Sequence, residues 1–140
     1  MAAPTISEIR AGLAANLGAI ADVQVSAYML GNATPPTIHV FPEEVEFDGA
    51  MGRGADTWRF TLQAFVGLVS DQGAQKRLDL MLAPSGATSI KAAVETDRTL
   101  GGLEVDARVV SASGYRVYVQ ADGNPVLGCE WSCTVIATGA

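Results

Sequence analysis

A chain of 140 residues with 49% hydrophobic and 17% charged side chains is one domain's worth of sequence, long enough for a real core and too apolar for disorder. Its net charge of -6 and pI near 4.6 argue against a protein that clamps nucleic acid by neutralising phosphates, which needs a basic face. They do not exclude one that nucleic acid merely passes.

No segment has the apolar length that spans a bilayer. The opening MAAPTISEIR lacks a basic stretch followed by an apolar run, so no signal peptide is expected and synthesis in a cytoplasm is. Thr5 to Ile20 reads as a first helix. Ile6, Ile9, Leu13, Leu17 and Ile20 form one stripe, and Thr5 or Ser7 is placed to cap it. Gly12 weakens this helix unless it serves close packing, and Gly18 marks fraying near the end. Val23 to Leu30 alternates as a strand, and GNATPP then breaks the chain.

Thr37 to Phe41 is the next strand, ended by Pro42 or placed by it at a sheet edge. His39 lies inside it, opposite in facing to Ile38 and Val40. The acidic segment EEVEFD, 43–48, follows. On a strand, Glu44, Glu46 and Asp48 share one face, with Val45 and Phe47 on the other. Such a face is ordinarily solvated. Its functional alternatives are a negative lining or a dock for a basic partner. Three acids along a flat strand are spaced too widely to converge on one cation unaided. GAMGRGAD, 49–56, is a glycine-rich connection without the phosphate-loop pattern.

The central unit is Thr57 to Ala83. Trp58, Phe60, Leu62, Ala64, Val66 and Leu68 make an unbroken apolar face of a long strand. The opposite face begins Arg59, Thr61, Gln63 and turns apolar at Phe65, which predicts cover on both sides there. Ser70 or Asp71 is placed to cap a helix carrying Leu78, Met81 and Leu82 inward and Gln75, Lys76 and Asp79 outward. A short helix over Ser89 to Asp97 follows, with Ile90, Ala93 and Val94 inward and TLGG as its stop. Val105 to Gln120 is a second long strand, bent at SASG (111–114). Asp122-Gly123 is a hairpin pair, and Val126 to Ala137 returns as the last strand.

Helices grouped apart from antiparallel pairs predict an α+β fold, a largely antiparallel twisted sheet with helices packed on one face, as a single domain over 1–140. The other face carries Arg59, Gln63, Glu130, Ser132 and Thr134, which suits water or another subunit. Cys129 and Cys133 share one strand face, with Cα atoms about 13 Å apart at ~3.3 Å per residue, too far for a disulfide within the strand. They read as small buried hydrophobes. No GxSxG, HExxH or Walker A pattern is present, and His39 is the one histidine with no local partner motif. No enzyme, cofactor or metal site is expected.

In this order the chain resembles the tail terminator (tail completion) proteins of long-tailed, non-contractile bacteriophages, especially those of actinobacterial phages. The residues that carry the resemblance are TISEIRAGLAANLGAI, VSAYMLGNATPPTIHVFPEEVEF, WRFTLQAFVGLVSDQGAQKRLDLML, SIKAAVETDRTLGG, SGYRVYV and PVLGCEWSCTVIATG. They cover nearly the full chain, and no single motif among them is diagnostic. The resemblance implies a virion part: a six-fold ring that caps the head-proximal end of the tail tube, ends its polymerisation and meets the head connector, with DNA passing through. Its partners would be further copies, the tube protein and the connector protein. On that view the acidic residues Glu43, Glu44, Glu46 and Asp48 line the lumen or meet the tube. Arg53 in loop 49–56 reaches a neighbour, and Arg59, Thr61 and Gln63 face the channel or a subunit seam. A tail tube subunit, a head-closure protein or a small binding domain outside phages are the alternatives.

Overall fold

The computed structural model describes residues 4–21, 23–28, 36–47, 55–67, 72–120, 123 and 125–138. Helix α1 spans Ile6–Leu17. Thr5 caps it reciprocally: its hydroxyl accepts the Glu8 N–H at 3.2 Å, and the Glu8 carboxylate accepts the Thr5 N–H at 2.9 Å. Ile9, Leu13 and Leu17 are fully buried. The helix stops at Gly18, earlier than the apolar stripe suggests, and Ile20 is buried from the turn beyond it. Gly12 serves close packing. A Cβ there would lie 2.6 Å from the Leu100 Cβ and 2.8 Å from its carbonyl oxygen. Leu100 is itself held at φ 54° in the turn after the third helix. Asn16 ties the same two segments, donating to the Val94 and Asp97 carbonyls at 3.0 and 2.8 Å.

The strands are β1 (Gln24–Ser26), β2 (Thr37–Glu46), β3 (Ala55–Gly67), β4 (Val105–Val119) and β5 (Pro125–Thr138), and the remaining helices are α2 (Gln72–Met81) and α3 (Ile90–Glu95). One sheet runs in the order β1-β2-β3-β5-β4, with β1 and β2 parallel and every other pair antiparallel. The fold is α+β, and β3 is its middle strand. Register places Val40, Leu62 and Trp131 side by side, then Phe60 beside Cys133 and Ala64 beside Cys129. These residues form one core with Ile9 and Leu13 of α1, Leu78 and Met81 of α2, and Ile90 and Val94 of α3. The helices therefore cover a single face. Phe65, on the other face, is buried against Val126 and Tyr118, as the double-sided cover predicted there requires.

Two expectations change. The strand over Val23 to Leu30 is only three residues, because the Ser26 hydroxyl turns the chain back, accepting the Tyr28 N–H and donating to the Tyr28 carbonyl. Thr37–Phe41 and the acidic segment are one strand that runs through Pro42. A bulge between Pro42 and Glu44 absorbs the proline, whose missing N–H falls on the sheet edge because β1 pairs only with Thr37–His39. The proposed Ser70 or Asp71 cap lies outside the described residues. Strand β4 is bulged at Val109/Ser111 and at Ser113/Arg116, where SASG interrupts the alternation.

The outer edge of β4 is closed over its first half by α3 and the turn after it. Ala107 N–H donates to the Arg98 carbonyl (2.9 Å), and Val109 N–H donates to the Glu95 carboxylate (3.1 Å). Lys91 donates to the Val109 carbonyl (3.2 Å) and to Glu95 (2.6 Å). Burial alone would raise the Glu95 carboxyl, but the bonds from Lys91 and Val109 outweigh it and hold its pKa below the ordinary value of 4.5.

Phe60→Ala is expected to cost roughly 2–5 kcal/mol in chemical denaturation, because it empties the middle of the core. Gly12→Ala is expected to cost about 1–3 kcal/mol by forcing α1 off Leu100. A carboxylate depressed in the folded state stabilises above its unfolded pKa, and that contribution is lost as pH falls through the folded value. Stability of Glu95→Gln, followed by denaturation across the acid range, is therefore expected to fall less steeply below pH 4.5 than that of the parent chain.

Candidate functional site

Strand parity alone sends Thr37, His39 and Phe41 of β2, Arg59, Thr61 and Gln63 of β3, and Glu130, Ser132 and Thr134 of β5 to the face without helices. Register then orders them in rows. Glu44, Arg59, Thr134 and Arg108 lie across one row, and His39, Gln63, Glu130 and Ser113 across another. In the first, Arg59 meets Glu44 at 3.1 Å, with both side chains well exposed. Such a pair contributes at most about 1 kcal/mol but fixes the charge pattern of the surface.

The second row is a polar chain. The Gln63 amide nitrogen donates to a Glu130 carboxylate oxygen at 3.2 Å, and its amide oxygen lies 2.6 Å from Nε2 of His39. An ionised carboxylate only accepts, so Glu130 sets which way the Gln63 amide points. The amide oxygen is thereby turned to His39, and Nε2 of His39 must carry a proton. The imidazole is 3% exposed and sits between Phe41 and Phe65, at 5.8 and 5.6 Å between ring centres. Phe65 leans on Tyr118, whose hydroxyl donates to the Gly114 carbonyl at 2.6 Å and whose ring carries the Arg116 guanidinium at 4.8 Å.

The expected interaction residues therefore separate. Glu44 and Arg59 are joined, and Glu46 is exposed on the same face. Gln63 is the half-buried middle member of the polar chain. Thr61 is 8% exposed between Phe41 and Ser132, too shielded to line a channel. Glu43 is the extra residue of the Pro42/Glu44 bulge and lines a shallow hollow of about 230 Å³ with Ile6, Pro42, Val45 and Trp58. The Trp58 indole N–H is buried there without a hydrogen-bond partner among the described residues. Asp48 and Arg53 lie outside the described residues.

His39 is the residue that inspection of the chain undervalued. Its partners stand 24 and 91 positions away and meet it only through the register of three strands. A second surface also escaped notice: Val110, Tyr115, Val117 and Val119 of β4 are all exposed.

The two thiols point into the core and are free. Burial, with the nearby Glu95 charge adding to it, pushes Cys133 up to about 12, and burial also raises Cys129. Neither is a thiolate at neutral pH, which is the nucleophilic and metal-binding form. Among the described residues no three His, Cys, Asp or Glu side chains come together at metal-binding distance. No helix among them is long and apolar enough to cross a membrane. What this face can do chemically is present a shaped and charged surface. No model of a known protein family matches the chain, and no curated protein matches it.

Gln63→Leu removes both bonds of the polar chain and leaves a Glu130 oxygen without its donor, at an expected cost of about 1–3 kcal/mol in urea denaturation. Nitrogen-15 spectra of the parent imidazole are expected to show the proton on Nε2; a sole Nδ1–H tautomer would contradict the orientation set by Glu130.

Proposed function

We propose that the chain is a structural subunit of a bacteriophage tail, of the terminator class: copies form a ring, six in number, that caps the head-proximal end of the tail tube. The ring ends tube polymerisation and carries the head connector, and DNA passes through it without sequence-specific binding. The observation that carries this reading is the one-sided sheet. Its helices pack one face, and its other face is an ordered polar surface of Glu44, Arg59, Glu130 and their neighbours rather than a cleft of converging reactive groups. That is the build of a part whose work is contact, and the resemblance over nearly the whole chain supplies the kind of contact. The net charge of -6 supports a lumen that repels DNA rather than holding it.

On this reading the chain is not an enzyme and uses no cofactor. It is made in the host cytoplasm and resides in the virion at the head–tail junction. Rings of identical head-to-tail contacts close by symmetry, so no second kind of subunit is required.

Electron microscopy of tail tubes mixed with the purified protein tests this. Rings at one tube end and tubes that stop growing are expected. Long tubes formed by the protein alone would instead make it a tube subunit, and a monomer that leaves tubes unchanged would overturn the proposal. The double reversal Glu44→Lys with Glu46→Lys is expected to lower the yield of completed tails while leaving the denaturation midpoint nearly unchanged.

A further inference from the structure

We propose that neighbouring copies meet edge to edge, the uncapped half of β4 in one copy pairing antiparallel with the uncapped half of β2 in the next. This rests on the reading of the chain as a ring subunit and adds which surfaces form the seam.

A five-stranded sheet has two edges, and here each is closed over one half only. On the β2 side, β1 covers Thr37–His39, Pro42 supplies no edge N–H, and Glu44–Glu46 continues beyond the bulge without a neighbour among the described residues. On the β4 side, Arg98, Glu95 and Lys91 occupy the edge groups of Ala107 and Val109. Beyond Val109 no such cap follows among the described residues, and β4 runs on to Val119. Because β2 and β4 run in opposite directions in the sheet, the edge of one copy presents to the other the polarity that an antiparallel ladder needs. Open strand edges of this length normally carry a protective device or a partner.

The side chains of the two free halves match on both faces. On the face without helices, β4 carries Arg116 and β2 carries Glu44 and Glu46. Joined sheets bring the cation and the carboxylates to the same side. On the helix face, β4 carries Val117 and Val119, 40% and 72% exposed. There β2 offers Val45 above the hollow floored by Ile6 and Trp58, with Phe47 (65% exposed) at its rim. The positive, apolar edge and the negative, apolar edge are different surfaces of one molecule. Their contact is heterologous and passes from copy to copy, which is the form a ring needs.

Sedimentation of the full chain and of its charge variants tests the seam. Arg116→Glu alone and Glu46→Arg alone are each expected to weaken self-association by about tenfold, and the two together to restore it, since repulsion becomes attraction again. Paired cysteines at Val45 and Val117, which face each other on the helix side when Arg116 stands opposite Glu46, are expected to give a ladder of oligomers under oxidation, where either single variant stops at dimers. Self-association that none of the charge variants changes would overturn the seam and leave the ring standing. A chain that stays monomeric at high concentration and gives no ladder would overturn pairing with a second copy, and capping of tubes would still judge the ring by itself. Loss of tube capping in Arg116→Glu without any self-association would assign this edge to a different partner and overturn the proposal.

Discussion

Everything in this molecule depends on the burial of one face of β3. Phe60, Leu62 and Ala64 are each fully enclosed, with β2 and β5 beside them and helix side chains above. At about 25 cal/mol per Å² of apolar surface, a row of such side chains is the largest favourable contribution the chain can collect in one place. The constraint is geometric as well as energetic. A slip of one residue would turn Arg59, Thr61 and Gln63 into the core, so the pairing of β3 with both neighbours is fixed. Gly12 and Asn16 then hold α1 to the turn after α3 at a distance that no larger residue at position 12 permits.

With one face committed to packing, the other is free to carry polarity, and it is ordered rather than merely wet. Glu130 orients Gln63, and Gln63 orients His39, which aromatic rings enclose on both sides. A buried imidazole is tolerable where its polar atoms find partners, and Gln63 supplies one for Nε2. The same row stiffens the junction of three strands next to the surface charges Glu44 and Arg59. A surface whose parts are held in place loses less entropy on meeting a partner.

The edges show a different balance. Pro42 and the bulge after it deprive β2 of a regular edge as far as Glu44, and Glu95 with Lys91 closes half of β4 with charged groups that bond its backbone directly. Bonds to charged groups of this kind contribute about 1.5–3 kcal/mol each, enough to make that half of the edge a poor template for a foreign strand. The rest of β4 carries exposed valines and no such bonds among the described residues.

The elements themselves were legible in the chain because their signals are local. The Thr5 cap, the stripe from Ile9 to Leu17, the alternation from Trp58 to Val66 and that from Leu127 to Val135 follow from residues within a few positions of one another. So did the facing of Glu44, Glu46 and Val45, and the interruption at SASG. Pro42 left two readings open, the end of a strand or a sheet edge, and the edge is the one realised, because β1 ends three residues before it and no neighbour needs the missing N–H. The shielding of Thr61, the partners of His39 and the closing of the β4 edge by Glu95 were not legible. Each joins positions from 14 to 91 apart, brought together only by the strand order and by the packing of α3 against the edge of β4. Sequence by itself determined which residues face inward, because side-chain period is a property of the backbone. Tertiary structure alone decided which inward and outward residues meet, because strand order and register are settled by the packing of the whole core.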